Sequence, residues 1–125
     1  MQVRSCFSFV IFLELGLAGV GGLTPEQEAE ITREYGKAIE LIAGKTEDWL
    51  MLNFRGESRM AFRGTTSPEI AMIDVYILGK AKDSEYDRLT EKLCEIVSTV
   101  LGVPRNRIYV KYAEYERWGY NGMNF

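Results

Sequence analysis

Hydrophobic and polar residues follow two different periods along this chain. Apolar positions recur every three to four residues over 24–44 and over 84–102, which predicts two amphipathic helices. Shorter apolar runs at 49–54, 59–63, 70–78 and 107–112 predict strands. The run at 70–78 is apolar on both sides, as is typical of a strand in the centre of a sheet.

Both predicted helices begin at a capping pattern. Thr24 precedes Pro25 and is followed by Gln27, which predicts a capping box with proline in the first helical position. Ser84 and Asp87 repeat the cap spacing in the second half of the chain. The similar spacing suggests that the chain repeats one βαβ unit.

The order strand, helix, strand therefore occurs twice and predicts an α/β fold. Right-handed crossovers would place two βαβ repeats in one four-stranded sheet with both helices on one face. The opposite face would then carry alternating apolar side chains with no element left to cover them. Such a face predicts self-association.

Residues 1–22 allow two interpretations. Arg4 and the apolar run at 5–13 resemble the start of a signal peptide. However, Glu14 interrupts the run, a poor cleavage site follows, and the run is too short to span a bilayer. We favour the alternative, a buried first strand, because the repeat needs one there. The chain is accordingly divided into an atypical segment at 1–22, either a divergent first strand or a misread start, and a domain at 23–125.

Composition narrows the possible functions. A chain of 125 residues makes one domain, and its net charge of −3 argues against a nucleic-acid partner. Histidine, a frequent metal ligand and general base, is absent. Cys6 and Cys94 form no CxxC pair. We predict no metal site and no membrane span, in a protein that is cytoplasmic or secreted without a clear signal peptide.

Several short motifs resemble those of the macrophage migration inhibitory factor and tautomerase superfamily. Residues 106–110 (Asn-Arg-Ile-Tyr-Val), residues 118–122 (Trp-Gly-Tyr-Asn-Gly) and terminal Phe125 are similar to its closing signature. Further landmarks are the Gly-Lys, Phe-Arg-Gly-Thr-Thr and Leu-Gly-Lys motifs at 44–45, 62–66 and 78–80. The resemblance covers residues 23–125. It implies a tautomerase-type fold, a homotrimer with sites between subunits, and no cofactor.

The resemblance implies a cofactor-independent isomerase that tautomerises phenylpyruvate or dopachrome with an N-terminal proline as the base. A buried terminal amine has a lowered pKa and can accept a proton at neutral pH. In this chain the first proline is Pro25, and counting back from Thr24 places the expected proline near residues 11–13. The catalytic residue is therefore unknown.

The same resemblance implies a site for a small aromatic keto or enol acid. Lys45 would hold the carboxylate, Leu78 would form an apolar wall, and Tyr109 would reach the site of a neighbouring subunit. Lys111 replaces an asparagine of animal members and would add a second cation. The pocket mouth would be lined by Trp118, Tyr120 and Phe125. Each of these residues also has an ordinary structural interpretation, as a helix-end or strand lysine or as a packing residue.

Three hypotheses follow for the function. The chain is an active tautomerase whose start is misread, or a non-catalytic trimer that binds an acidic aromatic ligand or, like a cytokine, a protein partner. The third hypothesis is a structural relic that keeps the fold without a working pocket. The absent proline favours the non-catalytic trimer for the sequence as written.

Overall fold

The computed structural model describes residues 10–125, so the signal-peptide-like positions before residue 10 lie outside the described part. Its main elements are β1 (Ile11–Ala18), α1 (Pro25–Ala38), β2 (Leu50–Arg55), β3 (Ile70–Leu78), α2 (Asp83–Leu101), β4 (Ile108–Tyr115), β5 (Gly119–Tyr120) and β6 (Met123–Asn124). Single 3-10 turns lie at Ile39–Leu41, Glu47–Trp49 and Arg105–Arg107.

The main sheet has four strands in the order β2–β1–β3–β4. β1 and β2 are parallel, β3 and β4 are parallel, and β1 pairs with β3 in antiparallel fashion at the centre. A helix joins each parallel pair. The prediction of an α/β fold with two βαβ repeats in one sheet is therefore confirmed.

One core lies between the sheet and the two helices. Every second residue of the central strands is buried, because successive side chains of a strand point to opposite faces. Both helices cover the same face, where the packed residues include Ile11, Leu13, Leu15, Ile31, Tyr35, Ile73, Val75, Leu89 and Leu93. Burial of this apolar surface is the main source of stability of the domain.

The open face of the sheet is more polar than predicted. Glu14 and Asp74 are direct partners across β1 and β3, at positions that alternate with the core residues. Asn53 donates a hydrogen bond of 2.7 Å to Glu14, and Arg55 lies 3.3 Å from the same carboxylate. Lys111 lies 3.5 Å from Asp74. The prediction of an apolar face is wrong for its centre, where these polar residues lie, whereas Phe12, Met72 and Tyr76 on the same face are apolar or aromatic.

The Thr24 cap is confirmed in detail. The Gln27 N–H donates to the Thr24 hydroxyl over 3.1 Å, and the Thr24 N–H donates to the Gln27 side chain over 3.0 Å. The second cap differs from the prediction, since α2 begins at Asp83 and the N–H of Lys82 donates to Glu85 over 2.8 Å. A carboxylate that reaches back to the helix start replaces the hydroxyl cap predicted at residue 84.

The predicted return strand at 59–63 is wrong. In this segment Phe62 forms one isolated bridge with Thr65. Arg63 and Gly64 between them have positive φ angles of 54° and 79°, so the chain reverses in a tight turn. The apolar residues of this segment belong to a loop because the chain turns before a strand ladder can form.

Candidate functional site

A buried lysine lies where the ends of β1 and β3 meet. Lys45 exposes 3% of its surface, and its ammonium donates hydrogen bonds of 3.1 and 3.0 Å to the carbonyl oxygens of Val10 and Leu78. The N–H of Leu78 donates to the same Val10 carbonyl over 3.3 Å. Gly44, with φ at 87°, turns the chain immediately before the lysine. These bonds fix the position of one cation at the junction of the two central strands.

Burial lowers the pKa of Lys45 to about 8. The cause is desolvation, which disfavours the charged amine. Lys45 is therefore mostly protonated at neutral pH and loses its proton as the pH rises through about 8. The group can serve as a cation below that pH and as a neutral amine above it.

The C-terminal tail brings aromatic side chains to this lysine. Val10, Leu78 and Phe125 form a buried apolar cluster, against which Trp49 and Trp118 pack. The tail folds back as the β5–β6 hairpin, and the N–H of Phe125 donates to the Trp118 carbonyl over 3.0 Å. The hairpin thus places the end of the chain beside the residues whose carbonyls bind Lys45.

An aromatic-walled hollow of about 380 Å³ lies next to this cluster. Its walls include Val10, Trp49, Trp118 and Tyr120, together with the acidic residue Asp48. The rings of Trp49 and Tyr120 meet edge to face with their centroids 4.9 Å apart. This volume lies in the range of small-molecule sites. A flat aromatic ligand fits the chemistry of these walls, because rings favour offset or edge-to-face contacts.

A second hollow of about 350 Å³ lies beside Trp118. Phe12, Tyr76, Tyr115 and Arg117 line it together with Trp118. The rings of Phe12 and Tyr76 stack at 5.4 Å, and Trp118 meets Tyr115 edge to face at 5.9 Å. Arg117 adds a positive charge to the lining, so this hollow also suits an aromatic anion.

Two of the predicted site residues lie elsewhere in the same subunit. Tyr109 pairs with Met72 near the start of β4, whereas Leu78 pairs with Tyr115 near the end of that strand. Six residues of strand separate the two positions by about 20 Å. Lys111 lies between them, beside Asp74 on the open face. Within one subunit, the structure brings together Lys45, Leu78, Trp118, Tyr120 and Phe125.

The sequence interpretation missed three residues at this end of the sheet. Val10 contributes a backbone carbonyl, which no side-chain pattern reveals. Trp49 was assigned to the start of a strand, although its position shortly after Lys45 was a usable signal. Arg117 lies directly before the aromatic tail, and its positive charge beside those rings was a usable signal.

Residues 10–125 contain neither a cluster of metal ligands nor a membrane-spanning helix. No group of three or more cysteine or acidic side chains there could hold a metal ion. Within the same residues, no helix has the length and apolar character that crossing a membrane requires. The predicted compartment, cytoplasmic or secreted, stays a prediction.

The family model described as macrophage migration inhibitory factor (MIF) matches residues 25–125. The chain is 26% identical over 99 residues to the Xenopus laevis macrophage migration inhibitory factor, covering 78% of this chain and 82% of that protein. The crystal structure of Leishmania major MIF2 superposes with a TM-score of 0.86 and 28% identity, covering 94% and 99% of the two chains. A homologue from Prochlorococcus marinus shares the fold, with a TM-score of 0.80, 23% identity, and coverage of 91% and 98%.

Proposed function

This chain belongs to the macrophage migration inhibitory factor family, and from that premise we propose that it binds a small aromatic keto or enol acid beside Lys45. The observation that carries the proposal is a buried cation whose carbonyl acceptor, Val10, belongs to the wall of an aromatic hollow. The ammonium lies 3.1 Å from the carbonyl of Val10, and Val10 itself lines the hollow. A carboxylate near this cation would be stabilised by its positive charge, while the aromatic part of the ligand would contact Trp49 and Tyr120.

The proposed site is shared between subunits of a homotrimer. Tyr109 exposes 61% of its surface and lies about 20 Å along the strands from the Lys45 end. Such an exposed ring is available to a neighbouring subunit. Lys111, which exposes 68% of its side chain, would add a second cation from the same strand.

A calorimetric titration with hydroxyphenylpyruvate at pH 7 tests the proposal. Lys45→Met removes the cation and keeps a long side chain, so we expect at least a roughly 10-fold loss of affinity, since a charged hydrogen bond contributes about 1.5–3 kcal/mol. Lys37→Met is the matched control, because Lys37 lies on the surface of α1 with 69% of its side chain exposed. Absence of binding by the natural chain, or equal binding by the Lys45 variant, would contradict the proposal.

Tautomerisation by the same pocket is the second candidate function. Pro25 cannot be the base through a free amine, because its nitrogen is an internal amide at the start of α1. The lowered pKa of Lys45 favours this candidate, since a neutral amine near pH 8 could take the proton next to the keto group.

The two roles of Lys45 predict opposite pH dependences. Ligand binding needs the ammonium and should weaken as the pH rises through about 8. Proton abstraction needs the neutral amine, so the rate of phenylpyruvate tautomerisation should rise over the same interval. Absorbance assays of the tautomerisation rate from pH 6 to 9, on the natural chain and on Lys45→Met, distinguish the two roles of Lys45. A rate above background that is equal in both proteins would exclude Lys45 as the base.

A further inference from the structure

Arg107, at the end of the 3-10 turn before β4, is a buried arginine that exposes 8% of its surface. Its Nε donates to the carbonyl of Pro68 over 2.8 Å and to that of Glu69 over 3.2 Å. Both acceptors lie immediately before β3. One side of the guanidinium therefore holds the end of the loop that joins β2 to β3.

The other nitrogens of Arg107 hold the tight turn in the same loop. Nη2 donates to the Thr65 carbonyl over 3.1 Å, and Nη1 lies 3.5 Å from the Phe62 carbonyl. Phe62 and Thr65 also exchange two backbone hydrogen bonds of 2.8 and 3.1 Å. A single side chain thus fastens both parts of the loop to the start of β4. Lysine could not replace it, because its donors diverge from one nitrogen.

The ring of Phe62 connects this arginine to Tyr109. The Arg107 guanidinium carbon lies 5.6 Å from the centroid of the Phe62 ring. The Tyr109 ring meets the Phe62 ring edge to face, at 5.1 Å and 86°. Tyr109 is mostly exposed, so its contact with Phe62 restricts the directions in which the ring can project.

We propose that Arg107 is a positioning residue that sets the direction of the Tyr109 ring through the Phe62 turn. This inference rests on the proposed function in one respect, namely that Tyr109 contributes to the aromatic-acid site of a neighbouring subunit. Arg107 is two residues away from Tyr109 in the chain. It acts on the Tyr109 ring indirectly, through its contacts with Phe62 in the loop. It does not touch the ligand itself.

Arg107→Lys tests the proposal, with Arg105→Lys as the matched control. Arg105 is an exposed arginine of the same 3-10 turn. With tyrosines and phenylalanines isotopically labelled, the natural chain and the control should show nuclear Overhauser contacts between the Tyr109 and Phe62 rings. Arg107→Lys should lose them. Contacts that persist in a folded Arg107→Lys protein would overturn the proposal, whether or not any ligand binds.

Ligand titrations then test the link to the site. Arg107→Lys should weaken hydroxyphenylpyruvate binding in the natural background and add no further loss in a Tyr109→Ala background. Equal losses in both backgrounds would overturn the positioning role, whereas no binding by the natural chain would refute the proposed function alone. If Arg107→Lys fails to fold, Phe62→Leu replaces it. A loss of affinity in the natural background, with no further loss in the Tyr109→Ala background, supports the proposal. Unchanged affinity in the natural background contradicts it.

Discussion

The two ends of the sheet present their aromatic residues in opposite ways. At the Lys45 end, side chains from distant parts of the chain are packed together, and Phe125 and Leu78 are buried. At the Tyr109 end, the ring is exposed and contacts a turn that one arginine holds in place. The aromatic cluster at the Lys45 end is thus complete within one subunit, whereas the Tyr109 end leaves a ring exposed.

The largest effect is expected when an intact Lys45 end and an intact Tyr109 end lie on different subunits. We expect Lys45→Met and Tyr109→Ala chains each to bind hydroxyphenylpyruvate poorly when assembled alone. Trimers assembled from an equal mixture should recover about a quarter of the natural sites, since in a cyclic trimer this fraction combines an intact Lys45 with an intact neighbouring Tyr109. Calorimetry gives the number of sites. A mixture that binds no more than its parents would contradict a site shared between subunits.

Substitution of Phe125 should reveal the packing at the Lys45 end. Phe125→Ala leaves a cavity beside Val10 and Leu78, and we expect it to lower the free energy of unfolding by about 3 kcal/mol. Urea unfolding followed by circular dichroism measures this change. A loss below about 1 kcal/mol would mean that the packing of Phe125 contributes little to the stability of this end of the sheet.

The smallest effect is expected at the opposite end. Tyr109→Ala removes a ring that is 61% exposed, so the free energy of unfolding should change by no more than about 1 kcal/mol, including the contact with Phe62. The same urea titration serves as the measurement. If Tyr109→Ala lowered the free energy of unfolding as much as Phe125→Ala does, the two ends of the sheet would not differ in packing.

Local signals in the sequence predicted most of the fold. The apolar run at 70–78 coincides with β3, and the Thr24 capping box is present with both of its hydrogen bonds. These features depend on neighbours in the chain, so they can be read from spacing. The segment at 59–63 was misread because its apolar residues do not reveal the turn at Arg63 and Gly64.

The candidate site was harder to predict because its parts are distant in the chain. The family resemblance pointed to Lys45 and Phe125, but the carbonyl acceptors of the lysine depend on the meeting of β1 and β3. Trp49 contacts the cluster through the tail hairpin, which brings Phe125 and the Tyr120 ring to it. The roles of Glu14 and Asp74 likewise follow from strand register, which places two carboxylates side by side.

The antiparallel pairing of β1 with β3 also relates the two halves of the chain to each other. It relates one βαβ repeat to the other by an approximate two-fold rotation, because each central strand has its parallel partner on the outer side. The two halves of the chain are therefore equivalent in topology. The single chain therefore has the layout of two half-length units that pair along their first strands, β1 and β3, and are joined covalently.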